Sequence, residues 1–119
     1  MADNRRLDER RKFGYYMRVL DNSTQEPVGY LADISSHGFK LDSKQALQVN
    51  KDYSFRLDLT AEISEKPYIV FVARTKWTQP DSTDPYAHND GFQIVNIAPR
   101  DEEIFQRIVV KYGTPETKW

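Results

Sequence analysis

Asp33, Ser35 and Gly38 stand in the order D-x-S-x-x-G within residues 31–41, LADISSHGFKL. A carboxylate presents two acceptor oxygens, and a serine hydroxyl adds a rotatable donor and acceptor. A purine edge that carries N–H donors, such as that of guanine, suits this pairing. Upstream, Arg5, Arg6 and Arg10 are followed directly by Arg11 and Lys12. The guanidinium fork pairs with phosphate oxygens, its plane stacks on a base, and it donates to O6 and N7 of guanine. Arg6 and Arg10 are spaced i, i+4, so both reach one ligand from a bent loop or from one helical face. Each group also has a purely structural reading. Asp33 and Ser35 can brace a turn through side-chain-to-backbone bonds. The arginines can belong to a solvated segment of mixed charge, partly neutralised by Asp3, Asp8 and Glu9.

The elements around these residues read as mainly β. Residues 30–34 form a strand, 35–38 a tight turn, and 39–41 a returning strand. Alternation places Asp33 and Ser35 on one face, and Gly38 is the residue expected to take positive φ in the turn. Further strands are expected over residues 15–20, 53–59, 68–77 and 91–97, with the second strand beginning at Val28. In residues 53–59, Tyr53, Phe55, Leu57 and Leu59 alternate with polar neighbours. Ala46, Leu47 and Val49 anchor the connection before them, and residues 78–90 are loop by every breaker rule. Pro99 opens a helix, with Asp101, Glu102 and Glu103 where the helix dipole favours negative charge. Ile104, Phe105, Ile108, Val109 and Tyr112 make one apolar stripe. Gly113 fits the position after the helix and Pro115 prevents its continuation. Six strands and one late helix with one face to cover predict a six-stranded antiparallel β-barrel with a C-terminal α-helix, since closure removes exposed edges.

At 119 residues the chain makes one domain. Residues 1–12 carry almost no apolar side chain beyond Met1 and Leu7, which predicts a mobile arginine-rich arm. The division expected is therefore arm 1–12, barrel and helix 13–113, and tail 114–119. There is no cysteine, which excludes disulfides and thiolate metal sites. His37 and His88 fall in turn and loop and read as solvated. No apolar run is long enough for a membrane span and none begins the chain as a leader, so a cytoplasmic protein without membrane insertion is expected. A net charge of −1 argues against a partner that is a nucleic acid polymer.

R-x-x-x-R at Arg6 and Arg10 followed by D-x-S-x-x-G at Asp33, Ser35 and Gly38 resembles the PilZ domain family, and the resemblance extends over nearly the whole chain. It implies a six-stranded barrel with a C-terminal helix, including an aromatic ending of the fifth strand at Trp77 and the Gly91–Phe92 opening of the sixth. It also implies a bacterial second-messenger receptor for cyclic dimeric GMP, with no enzymatic activity, cofactor or metal. The ligand contacts it implies are Arg6 and Arg10 for phosphate and guanine, with Arg5 beside them. Asp33 then accepts from one guanine, Ser35 contacts guanine or phosphate, and Gly38 leaves room in the turn. Arg11 and Lys12 are neighbouring cations that can stand in for Arg10. Output would pass to an unidentified protein effector through ordering of the arm. Three other readings stand beside this one. An enzyme lacks any nucleophile–base or paired-carboxylate pattern in the sequence. An OB-like nucleic-acid binder would use Tyr15, Tyr16, Phe39 and Tyr53 as stacking platforms. A PilZ-fold adaptor would touch protein partners without taking up the nucleotide.

Overall fold

The computed structural model describes residues 11–13, 17–44 and 47–115, with backbone alone for 11–13 and 112–115. Among them the chain forms β1 (Arg11–Phe13), β2 (Arg18–Asp21), β3 (Pro27–Ile34), β4 (Gly38–Ser43), β5 (Asp52–Asp58), β6 (Tyr68–Pro80), β7 (His88–Ile97), α1 (Pro99–Tyr112) and β8 (Gly113–Pro115). Every pairing is antiparallel. The order β2-β5-β6-β7-β4-β3 closes on itself through β2–β3, giving the expected six-stranded barrel. β1 adds to β3, and β8 adds to β1. These two short strands extend the sheet beyond the six that alternation predicts.

The interior is filled by phenylalanine. Phe39, Phe55, Phe71, Phe92 and Phe105 are all buried. Phe39 stacks on Phe92 at 5.1 Å between centroids, while Phe55 meets Phe92 edge-on at 5.1 Å. Offset and edge-to-face contacts of this kind add roughly 0.5–1.5 kcal/mol each beyond the area they bury. Phe39 is therefore part of the core and Tyr53 packs against it, so neither offers a free stacking face. Leu47 packs on the core too, whereas Val49, expected as an anchor, is exposed.

The helix starts and ends where its sequence signals say. Ile104, Phe105, Ile108 and Val109 face inward with at most 2% exposure, covering one end of the barrel. Asp101 does more than complement the helix dipole. It is buried, receives the Lys66 ammonium at 2.5 Å and accepts the backbone N–H of Val70 at 3.3 Å, which pins α1 to β6. Arg107 adds a bond to the carbonyl of Ile63 at 2.8 Å. The chain then passes from α1 directly into β8, alongside β1.

Candidate functional site

Two irregularities in strand pairing set which side chains face outward. In β3 the register shifts between Leu31 and Asp33, so Ala32 is an extra residue opposite β4. Leu31 and Ile34 can then both point into the core, and Asp33 is left on the outer face opposite Lys40. The two side chains meet as a loose ion pair, Nζ to Oδ2 at 3.6 Å, beyond hydrogen-bond length. A part-exposed pair of this kind contributes about 0–1 kcal/mol. In β6 the register shifts between Thr75 and Trp77, making Lys76 the extra residue. Thr75 is buried opposite Phe92, but Trp77 comes opposite Gly91 on the outside.

Gly91 and Trp77 need each other. A Cβ on Gly91 would lie 2.2–2.7 Å from three atoms of the indole, so the ring occupies the space a side chain would take. The pairing then runs in one outward row, Trp77–Gly91–Lys40–Asp33, across β6, β7, β4 and β3. Three strand spacings make that row about 14 Å along the sheet. Beside it a cavity of about 130 Å³ is lined by Ser35, Gly38, Lys76 and Trp77 among others.

Ser35 does not share Asp33's strand face. It lies past the last residue of β3, with its N–H and its hydroxyl both directed at the carbonyl of Gly38, at 2.9 and 3.3 Å. The turn is tied on two further sides: Gln106 Nε2 donates to the Ser36 carbonyl at 2.8 Å, and the Ile94 N–H to that of His37 at 2.9 Å. Gly38 does not take the positive φ expected of it. Its constraint is proximity, because a Cβ there would sit 2.3 Å from the carbonyl oxygen of Phe92. Glycine is required by the close approach of β7.

Farther along the outer face, Asp42 is exposed, and partial desolvation is the chief cause that pushes its carboxyl up from the usual value. Lys40 opposes that shift, while Asp81, Asp33 and Asp90 add to it. Asp90 is fully buried and accepts the hydroxyls of Ser43 at 2.6 Å and Thr78 at 2.5 Å. Asp81 caps the loop between β6 and β7, where bonds from Thr83, Asn89 and Asp84 hold its carboxyl down to about 2. His37 is solvated as expected. His88 is half-buried, and its Nδ1 has no hydrogen-bond partner. No group of three metal-ligating side chains forms among the described residues, and no helix there is long and apolar enough to cross a membrane.

Arg5, Arg6 and Arg10 lie outside the described residues, but the strand that follows them does not. Arg11 pairs with Ile34 and Lys12 with Asp33. The backbone that continues R-x-x-x-R thus enters the sheet one residue short of Ser35.

A family model described as PilZ domain matches residues 4–111. The chain belongs to the PilZ domain family. Solved structures agree on the fold. The PilZ domain with c-di-GMP of YcgR from Escherichia coli is 16% identical with a TM-score of 0.65, the match covering 92% of each chain. The Bacillus subtilis inhibitor of motility, MotI/DgrA, is 14% identical with a TM-score of 0.71 over 91% of this chain and 50% of that one. MrkH of K. pneumonia in its apo state is 18% identical with a TM-score of 0.69 over 92% and 51%. The chain therefore spans about half the length of two of these. No curated protein sequence matches it.

Within this PilZ domain the motif reading finds Asp33, Ser35 and Gly38 together and misses Lys40 and Trp77. Lys40 was open to discovery, because it alternates with inward Phe39 and Leu41. Trp77 was expected only as the aromatic ending of a strand, and its outward facing was not legible, since the extra residue at Lys76 produces it.

Proposed function

We propose that this PilZ domain is a receptor for cyclic dimeric GMP. One observation supports the reading: Arg11, the residue that follows the arginine motif in sequence, pairs with Ile34, between Asp33 and Ser35. On this reading the two motifs, far apart in sequence, serve one surface. Arg6 and Arg10, with Arg5 beside them, take phosphate and guanine. Asp33 accepts from the N1 and N2 donors of one guanine, Ser35 contacts base or phosphate, and Gly38 keeps the turn against β7. The PilZ domain of YcgR, solved with c-di-GMP, supports the ligand class.

Binding draws residues 4–10 onto the barrel and so alters the surface a protein effector meets. Ordering a backbone costs about 1–2 kcal/mol per residue, offset by charge-assisted contacts to the phosphates. A calorimetric titration with cyclic dimeric GMP tests the reading. Arg6→Ala and Arg10→Ala should each lose a charged contact of about 1.5–3 kcal/mol, roughly tenfold to a hundredfold in affinity, at unchanged Tm. Variants that bind like the parent refute the arginine assignment. The second reading, an adaptor without nucleotide, draws on Ser35 being held by Gly38 and on Asp33 meeting Lys40. A parent that gives no binding heat and no change in amide exchange over residues 4–10 favours that adaptor.

A further inference from the structure

One outward row beyond Asp33 and Lys40, the pairing of β3, β4 and β7 aligns Tyr30, Asp42 and Asn89. Asn89 Nδ2 donates to Asp81 Oδ1 at 3.1 Å, which ties the loop between β6 and β7 to this row. The loop is also braced from within. Asp81 Oδ2 accepts the N–H groups of Thr83 and Asp84, and Asp84 Oδ1 accepts that of Tyr86 at 2.9 Å. The Ala87 N–H closes the turn on the Asp84 carbonyl. So held, Tyr86 is 82% exposed. It stands at the edge of a groove of about 490 Å³ whose lining includes Tyr30, Asp42 and Asp84, with Pro27 and Val28 as apolar wall. A ring held out on a fixed loop adds nothing to the core, yet it loses little freedom when something docks on it.

Asp42 is unpaired in this groove: among the described residues it makes no hydrogen bond or ion pair. Lys40 is engaged by Asp33. Lys44 lines the groove too, but it is not among the charges that act on Asp42, whereas Asp81, Asp33 and Asp90 all oppose its ionisation. The field there is acidic and draws a positive charge. Among the described residues no three carboxylates or imidazoles converge as a metal ion requires, so the cation that fits is organic. The domain already shows the fitting geometry once. Arg56 lies 4.0 Å over the Tyr68 ring while donating to Asp58 Oδ1 at 2.8 Å.

We infer that the groove between β3–β4 and the β6–β7 loop docks an arginine side chain of a partner protein, its guanidinium on the Tyr86 ring and its fork at Asp42. Apolar neighbours of that arginine rest on Pro27 and Val28. Arginine suits the site better than lysine, because its plane stacks on an aromatic face and is more weakly hydrated. This surface is separate from the cyclic dimeric GMP reading and stands without it.

The test titrates the full chain with two capped peptides, acetyl-Gly-Leu-Arg-Gly-amide and its citrulline counterpart, which keeps the shape and removes the charge. Amide chemical shifts are followed into the millimolar range, and Tm is recorded for each variant. The arginine peptide should move residues 28–30, 42–44 and 84–87 along one saturating curve. The citrulline peptide should bind about threefold to tenfold more weakly, having lost both the ion pair and the cation–π contact. Asp42→Asn should remove most of that difference, and Tyr86→Ala should weaken the arginine peptide by about threefold at unchanged Tm. Lys44→Ala should bind it as well as the parent or better. Equal affinity for the two peptides, or Asp42→Asn discriminating between them as the parent does, overturns the inference and leaves an apolar groove indifferent to charge. Shifts confined to other residues, or no shifts at all, overturn it as well.

Discussion

Replacing Gly38 with alanine separates the two reasons a turn can demand glycine. A Cβ at this position would approach the Phe92 carbonyl oxygen to 2.3 Å, about 1 Å inside an ordinary C–H···O separation. The contact is backbone on both sides, so no rotamer change relieves it. β4 must move away from β7 near the Gly38–Gln93 pair, loosening the Ile94 N–H bond to His37. Overpacking of this kind costs about 1–3 kcal/mol, and a weakened backbone hydrogen bond adds about 0.5–1.5 kcal/mol. The sum, near 2–4 kcal/mol, is a large part of the roughly 5–15 kcal/mol that holds a small domain together. Thermal unfolding followed by circular dichroism should show Tm lowered by about 8–20 °C. Because φ at Gly38 is not positive, asparagine should do no better than alanine. A Tm within about 2 °C of the parent, or asparagine clearly outperforming alanine, refutes the close-approach argument.

Asp101→Ala should unfold more readily in denaturant by about 1–3 kcal/mol, because the Val70 N–H and the Lys66 ammonium both lose a buried acceptor; an unchanged midpoint would mean α1 is held by its apolar face alone. Asp42 carries a carboxyl raised above its unfolded value, so its ionisation in the folded state is disfavoured and stability falls as pH rises past the usual carboxylate range. Asp42→Asn should therefore raise Tm at neutral pH, the gain vanishing below about pH 4; a gain that persists in acid would point to a cause other than charge.

Much of this fold is legible from residue patterns because the deciding signals are local. Pro99, the acidic first turn and the stripe through Val109 define α1 from the sequence outward. The strands past their predicted ends are another matter. Residues 78–80 and 88–90 read as loop, yet both segments continue the β6–β7 hairpin. Asp90 looks like a surface residue until two hydroxyls from distant positions, Ser43 and Thr78, make its burial tolerable. β1 and β8 are too short and too polar to announce themselves, and exist through pairing with distant segments, β1 with β3 and β8 with β1. In the site, the residues of D-x-S-x-x-G are found by their order. Their facing is not, since Ala32 and Lys76 each shift the alternation by one, and a shift of one sends a side chain to the other face.

The pairing of β1 with β8 also decides how the domain answers to tension. Arg11 lies opposite Pro115 and Phe13 opposite Gly113, so the outermost rung joins the first residue of β1 to the last residue of β8. A pull applied through those ends loads that rung alone, then the next, as a zip opens, instead of sharing the force among all rungs at once. The clasp yields one hydrogen-bonded step at a time while the six-stranded ring is still unloaded. The next strand exposed to the pull is β1, where it lies against Ile34 and Asp33. In a longer protein, strain between flanking segments would reach the edge of the candidate site before it reached the core.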